Sequence, residues 1–307
     1  MENSPFEQVI GHGPLCAYFS RLLEQDEHAH AYLLAGPEHV GKTLLAKTFL
    51  AKLLDIEVDR LEQSGIYREI NPEKSIKIDE IRSLKEHFSH SAFIGTKKAA
   101  LIIDAHRMTI GAQNALLKTL EEPAGDSVLI LTTSQPEQLL ATIHSRCHVL
   151  NVSLTPREEV CAALKKDLDQ DLAHLIAHLS GGRPGLAMRL KDEEARERYL
   201  EHRAKAQEIL SASPAERFMK CSALGRSGGR DAVVQHLLFL LHDLALVSQG
   251  NTNQIMNTDL EDFMIQLDQN KQGVNWSDAL AQWLVVQESI RRNVSPALVL
   301  ESLALSM

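Results

Sequence analysis

The sequence predicts an α/β domain built on a parallel sheet, followed by an all-helical remainder. Three observations carry this. The apolar run Ala31–Ala35 feeds a glycine loop and then the helical pattern of residues 44–50. Apolar runs at 97–104, 128–134 and 148–152 then alternate with helical segments, as strands covered by helices on both faces do. Beyond residue 154 every periodic segment has helical spacing. The expected division is an α/β domain over 1–152, a small helical domain over 153–191 and a second helical domain over 192–307.

Residues 6–12 form a short extended opening, and 13–26 a helix with Leu15, Phe19, Leu22 and Leu23 at helical spacing. The loop Gly36-Pro37-Glu38-His39-Val40-Gly41-Lys42-Thr43 follows the first strand. Its glycines allow backbone conformations closed to residues with a Cβ, so successive N–H groups can turn onto a phosphate. The helix starting there adds partial positive charge at the same spot. Lys42 is placed to reach the outer phosphates of a nucleotide, and the Thr43 hydroxyl to ligate Mg²⁺. ATP or ADP with Mg²⁺ is the ligand this context predicts.

The helix after the loop runs to about residue 54, and 55–74 are polar and irregular, with Asn71-Pro72 as a turn. Ile76, Ile78, Ile81 and Leu84 lead a helix ending near His87 and His90. The run 97–104 is a buried strand closed by Asp104. Ligands of open α/β sheets collect at the carboxyl ends of strands, so Asp104 is the expected second Mg²⁺ group, acting through water. Residues 112–122 form a helix stopped by Pro123. Thr133 and Ser134 close the next strand, 139–147 are a short helix or turn, and 148–152 a further strand. Thr155 is expected to cap a helix, with Pro156 at its first position and Glu158 at the capping-box position. A helical segment ends at 180–185, and a charged stretch over 191–205 leads to an apolar helix running from Val233 to Leu246. Asp231, Gln235, His236 and Asp243 make that helix a core element rather than a membrane span. A polar loop over 251–258 and helices over 276–290 and 295–305 complete the reading.

Composition sets outer bounds. With 307 residues, 44% apolar and 24% charged, the chain has ordinary globular character. No run approaches the ~20 apolar residues of a membrane span, and the first residues lack the parts of a signal peptide. Cys16, Cys147, Cys161 and Cys221 include no C-x-x-C pair, which fits a reduced cytoplasm. A net charge of −9 argues against a chain that coats nucleic acid by itself, though not against a DNA role shared with partners. His144, Cys147, His148 and Cys161 lack carboxylate support and are not read as a zinc site.

The phosphate loop, the Ile102-Ile103-Asp104 strand end, the run Asn114-Ala115-Leu116-Leu117-Lys118-Thr119-Leu120-Glu121-Glu122-Pro123, and Thr142-Ile143-His144-Ser145-Arg146-Cys147 together resemble the bacterial clamp-loader branch of the AAA+ ATPases. Residues 30–37 and 75–82 resemble it too. The likeness covers roughly 6–152, and the helical remainder is similar in architecture only. It implies an AAA+ domain, a helical lid over 153–191, and a collar over 192–307 that holds a hetero-oligomeric ring together. The implied partners are the other clamp-loader subunits, the sliding clamp and primed DNA, within a DNA polymerase III complex; no membrane is implied. Arg146 matches the arginine finger that completes a neighbouring subunit's ATP site, a device worth ~10³–10⁵ in rate. Thr133 and Ser134 match the place where a polar residue senses the γ-phosphate. Residues 109–113, at a helix start, are a candidate place for shared contacts with DNA phosphates, the alternative being that this helix start is capped for its own sake.

Three features depart from active members of the branch. Those carry Asp-Glu at the second strand end, whereas Asp104 is followed by Ala105, which cannot act as a base. Where a lid arginine follows a Gly-Ser pair, the register here yields Arg183 or Pro184. The four-cysteine zinc module is missing from 55–75, so no zinc is expected. The expectation is a ring subunit that binds nucleotide and hydrolyses it poorly. The intact loop and Asp104 favour an alternative, an active AAA+ ATPase, either the loader's motor subunit or a helicase-type protein. A P-loop metabolic kinase leaves the Ser-Arg-Cys motif and the helical tail unexplained.

Overall fold

The structure, a computed structural model, describes residues 6–89, 97–123, 125–226, 229–252, 255–271, 273–291, 295 and 300–301. His90 and most of the helix expected over 295–305 lie outside them. Packing divides the chain into two units, 1–167 with 182–186 and 168–181 with 187–307.

The first unit is built on a five-stranded parallel sheet in the order β2-β3-β4-β1-β5. Its strands are β1 (Ala31–Ala35), β2 (Tyr67–Ile70), β3 (Lys98–Ile102), β4 (Ser127–Thr133) and β5 (His148–Asn151). β1, β3 and β4 are buried along their whole length, as strands covered on both faces must be. Alternate residues of β1 serve opposite faces. Tyr32 and Leu34 join Phe19 of α1 (Gly13–Gln25) and Leu45, Phe49 and Leu50 of α2 (Lys42–Leu53). Ala31 and Leu33 join Ile81 and Leu84 of α3 (Ile78–Ser89) and Leu116 and Leu120 of α4 (Ile110–Glu121). Each fully buried leucine contributes roughly 1.5–3 kcal/mol.

Two sequence expectations are corrected here. Residues 55–74 are not irregular throughout: a 3₁₀ turn at Val58–Gln63 precedes β2. β2 is an edge strand with only Tyr67 and Ile70 buried, and its middle residues are charged, as edges that avoid mispairing are. Glu69 is held by Lys47 at 2.8 Å, and the Tyr67 hydroxyl donates to it at 2.7 Å. The second correction concerns Thr155, which does not cap the next helix. α6 (Arg157–Leu164) has Pro156 at its N-cap and makes no side-chain cap bond. Thr155 is instead buried, its N–H donating to Gly182 O at 2.8 Å and its hydroxyl lying 3.4 Å from His12 Nε2.

The second unit is helical: α7 (Gln170–Ser180), most of α8 (Pro184–Leu190), α9 (Glu193–Ser211), α10 (Pro214–Gly225), α11 (Arg230–Ser248), α12 (Glu261–Asn270) and α13 (Trp276–Arg291). The charged stretch at 191–205 belongs largely to α9, capped by the Asp192 side chain accepting from Ala195 N. Among the described residues α11 alone is long and apolar enough to cross a membrane. It packs against α9, α12 and α13, with Val233, Leu237, Leu241 and Leu244 fully buried, so its apolar faces serve the core of this unit. Asp243, also fully buried, accepts from Met256 N, Asn257 N and Asn257 Nδ2 at 2.9, 2.8 and 2.7 Å. That carboxylate ties the following loop to α11, satisfying a charge that would otherwise be costly inside.

One close approach decides the geometry at the carboxyl edge of the sheet. A Cβ on Gly36 would sit 2.0 Å from Val152 O, a backbone atom just after β5. Gly36→Ala is therefore expected to destabilise the chain by about 1–3 kcal/mol, a fall in Tm of roughly 3–10 °C. Gly111→Ala is the control, because nothing lies within 4 Å of its Cβ and it sits in α4. It should be neutral or stabilising by ~0.5 kcal/mol. Thermal denaturation of the two variants checks both.

Candidate functional site

The loop from Gly36 to Lys42 leaves the end of β1 at the sheet's carboxyl edge and opens α2. Gly36 N donates to Thr133 O at 3.1 Å, which joins the loop to the end of β4. His39 has φ 62°, and Gly41, the N-cap residue, has φ 103°. No side chain caps α2, so its first N–H groups and the positive end of the helix face the loop. The loop is also tied from behind. His12 Nε2 lies 2.8 Å from Val40 O, and Gly185 N donates to His39 O at 2.7 Å.

Lys42 is buried, with 6% of its surface exposed, and its Nζ donates to Gly36 O at 2.7 Å and Pro37 O at 2.6 Å. Burial pushes its pKa down to about 8, against the opposing pull of Asp104 and Glu38. Thr43 is half-buried in the first turn of α2, and Pro37, Glu38 and His39 are exposed.

Asp104 stands two residues beyond β3 in a left-handed conformation, φ 50°, as N-cap of the 3₁₀ turn Ala105–Arg107. Its N–H donates to Thr132 Oγ1 at 3.2 Å, and its carboxylate faces Arg107 Nε at 3.4 Å. Ala105 behind it is fully buried and brings no base. Thr133 is buried, its hydroxyl accepting from Gln135 N at 3.0 Å and lying 3.2 Å from His106 Nδ1. The Ser134 hydroxyl oxygen is buried with no hydrogen-bond partner among the described residues. An uncapped helix start, a glycine cradle, a buried cation and an unsatisfied hydroxyl fit a nucleotide's phosphates. Thr43 and Asp104 are oxygen donors of the type Mg²⁺ takes.

Arg146 follows the short helix α5 (Ala141–His144). Its Nη2 stands 2.8 Å from Glu121 Oε1 of α4, and its Nη1 donates to Thr142 O at 3.1 Å. The guanidinium is one-third exposed and lies in a different part of the sequence from the loop. Nothing in the sequence spacing of Glu121 and Arg146 announces their pairing.

Other named side chains have structural work. His144 Nε2 lies 2.9 Å from Pro136 O, His148 stacks on Tyr18, and burial pushes the Cys147 thiol up to about 12. Gln113 is not available to DNA. It is buried, its amide donating to Met108 O and Gln138 O and accepting from Leu140 N. Thr109 caps α4 by accepting from Ala112 N. Arg183 is half-buried just before α8.

Comparison with known proteins places this geometry. Residues 11–155 match the family model described as DNA polymerase III, delta subunit. DNA polymerase III subunit delta' of Pseudomonas aeruginosa is 37% identical over 202 residues, covering 59% of this chain and 61% of that protein. The delta' subunit of Bacillus subtilis is 30% identical over 262 residues, 78% of each chain. A mutant of RuvB from Thermotoga maritima matches with a TM-score of 0.50 and 16% identity over 81% of this chain and 82% of that one, a likeness of fold alone. These relatives show the family: the chain belongs to the delta-prime family of DNA polymerase III clamp-loader subunits.

Proposed function

We propose that the chain is a ring subunit of a clamp loader that lends Arg146 to the ATP site of a neighbouring subunit. The observation that carries this reading is the placement of Arg146, held in a defined pose and one-third exposed. A guanidinium set beside a neighbour's γ-phosphate stabilises the charge that develops on the transferring group. In this reading residues 1–152 are the AAA+ domain, 153–191 the lid and 192–307 the collar that joins the ring. The assembled ring opens the sliding clamp and closes it on primed DNA.

The chain's own loop is proposed to hold ATP or ADP with Mg²⁺. The backbone of Gly36 to Gly41 would face the phosphates, Lys42 the outer ones, Thr43 and Asp104 the metal ion, and Thr133 with Ser134 the γ-phosphate. Bound nucleotide would supply the charge against which these groups order. Hydrolysis is weak or absent because Ala105 offers no carboxylate to activate water. An active motor remains the second reading only because the loop and Asp104 are intact.

Two measurements test these roles. Lys42 must be charged to hold phosphate, and its pKa of about 8 means that charge is present below pH 8 and lost above it. Nucleotide affinity of the purified chain should fall roughly tenfold between pH 7 and pH 9, and Lys42→Arg should flatten the profile. In the assembled ring, Arg146→Ala should lower DNA-stimulated ATP hydrolysis about tenfold or more with ring size unaltered. Hydrolysis at the wild-type rate would contradict the in-trans role.

A further inference from the structure

Arg146 is held from two directions. Its Nη2 faces the Glu121 carboxylate at 2.8 Å, while Nη1 donates to Thr142 O at 3.1 Å and to Ser145 Oγ at 3.3 Å. Ser145 Oγ in turn donates to Thr142 O at 3.1 Å. Both supports are anchored in the core of the sheet unit. Glu121 is the last residue of α4, whose Leu116 and Leu120 pack beneath the sheet, and Thr142 and Ser145 flank the fully buried Ile143.

We propose that Glu121 is a positioning residue for Arg146, fixing its guanidinium in the pose from which it meets a neighbour's nucleotide. The inference rests on the reading that Arg146 acts in trans. An arginine side chain has several free rotors, and a loose one must be ordered when the transition state forms. A carboxylate on one nitrogen and a carbonyl on the other set the guanidinium plane beforehand, and small errors in such placement lower rates markedly. Glu121 is half exposed, so the pair adds little to the stability of the chain. Its worth lies in geometry.

The test uses the complete ring, assembled with its partner subunits, carrying Glu121→Ala, Glu121→Gln, Arg146→Ala, or Glu121→Ala with Arg146→Ala. DNA-stimulated ATP hydrolysis gives kcat and KM, and sedimentation gives ring assembly. Glu121→Ala should lower kcat about 3- to 10-fold, with KM and assembly unchanged. Glu121→Gln, which keeps an acceptor oxygen, should recover most of the loss. On the Arg146→Ala background, Glu121→Ala should change nothing further.

Wild-type kcat in Glu121→Ala beside a slow Arg146→Ala ring would overturn the positioning role and leave the in-trans reading standing. A wild-type rate in Arg146→Ala would overturn both. Equal losses from Glu121→Ala with and without Arg146, or loss of assembly, would assign Glu121 another task and overturn the inference.

Discussion

At the carboxyl edge of the sheet the backbone of Gly36 runs so close to the Val152 carbonyl that no side chain fits between them. The loop after β1 is thereby pressed against the strand end beside it, and Gly36 N is bonded to the end of β4 on the other side. The proposed nucleotide site is built on that confined loop. Lys42 is drawn over the loop's own carbonyls, Gly41 takes a conformation suited to glycine, and α2 starts without a side-chain cap. His12 and Gly185 hold Val40 and His39 from outside, so the loop is tied there as well as at its start.

The two cations of functional interest are held in opposite ways. Lys42 is buried, has carbonyl oxygens as its hydrogen-bond partners among the described residues and has its pKa pushed down to about 8. It is a charge under tension, and phosphate would relieve that tension by supplying the full negative charge that carbonyls lack. Arg146 is partly exposed and already paired with a carboxylate, so its direction is what the fold supplies. The contrast matches the roles proposed for them: one cation serves a ligand of its own chain, the other a ligand held by a neighbour. Buried Ala105 beside Asp104 agrees with the proposal of a subunit that would lend more to its neighbour's chemistry than it performs itself.

Much of the fold was legible because β1, β3 and β4 are continuous apolar runs and their loops carry glycine or polar punctuation. β2 was not, since an edge strand with Arg68 and Glu69 at its centre has no apolar pattern to display. Thr155 showed a local capping signal that a tertiary contact with Gly182 and His12 overrode. The loop residues were legible as a motif, and Lys42 does lie within the electrostatic reach of Asp104. What the sequence hid were pairings across distance. Glu121 with Arg146, His12 with Val40, and the burial of Gln113 depend on how elements pack, and no local period encodes them.

The most direct test of the account is nucleotide binding and steady-state ATP hydrolysis by the purified chain alone, repeated with Lys42→Ala. The account predicts binding that Lys42→Ala abolishes, with little or no turnover in either protein. Robust turnover that Lys42→Ala removes would contradict it, because some residue other than the alanine beside Asp104 would then be activating water.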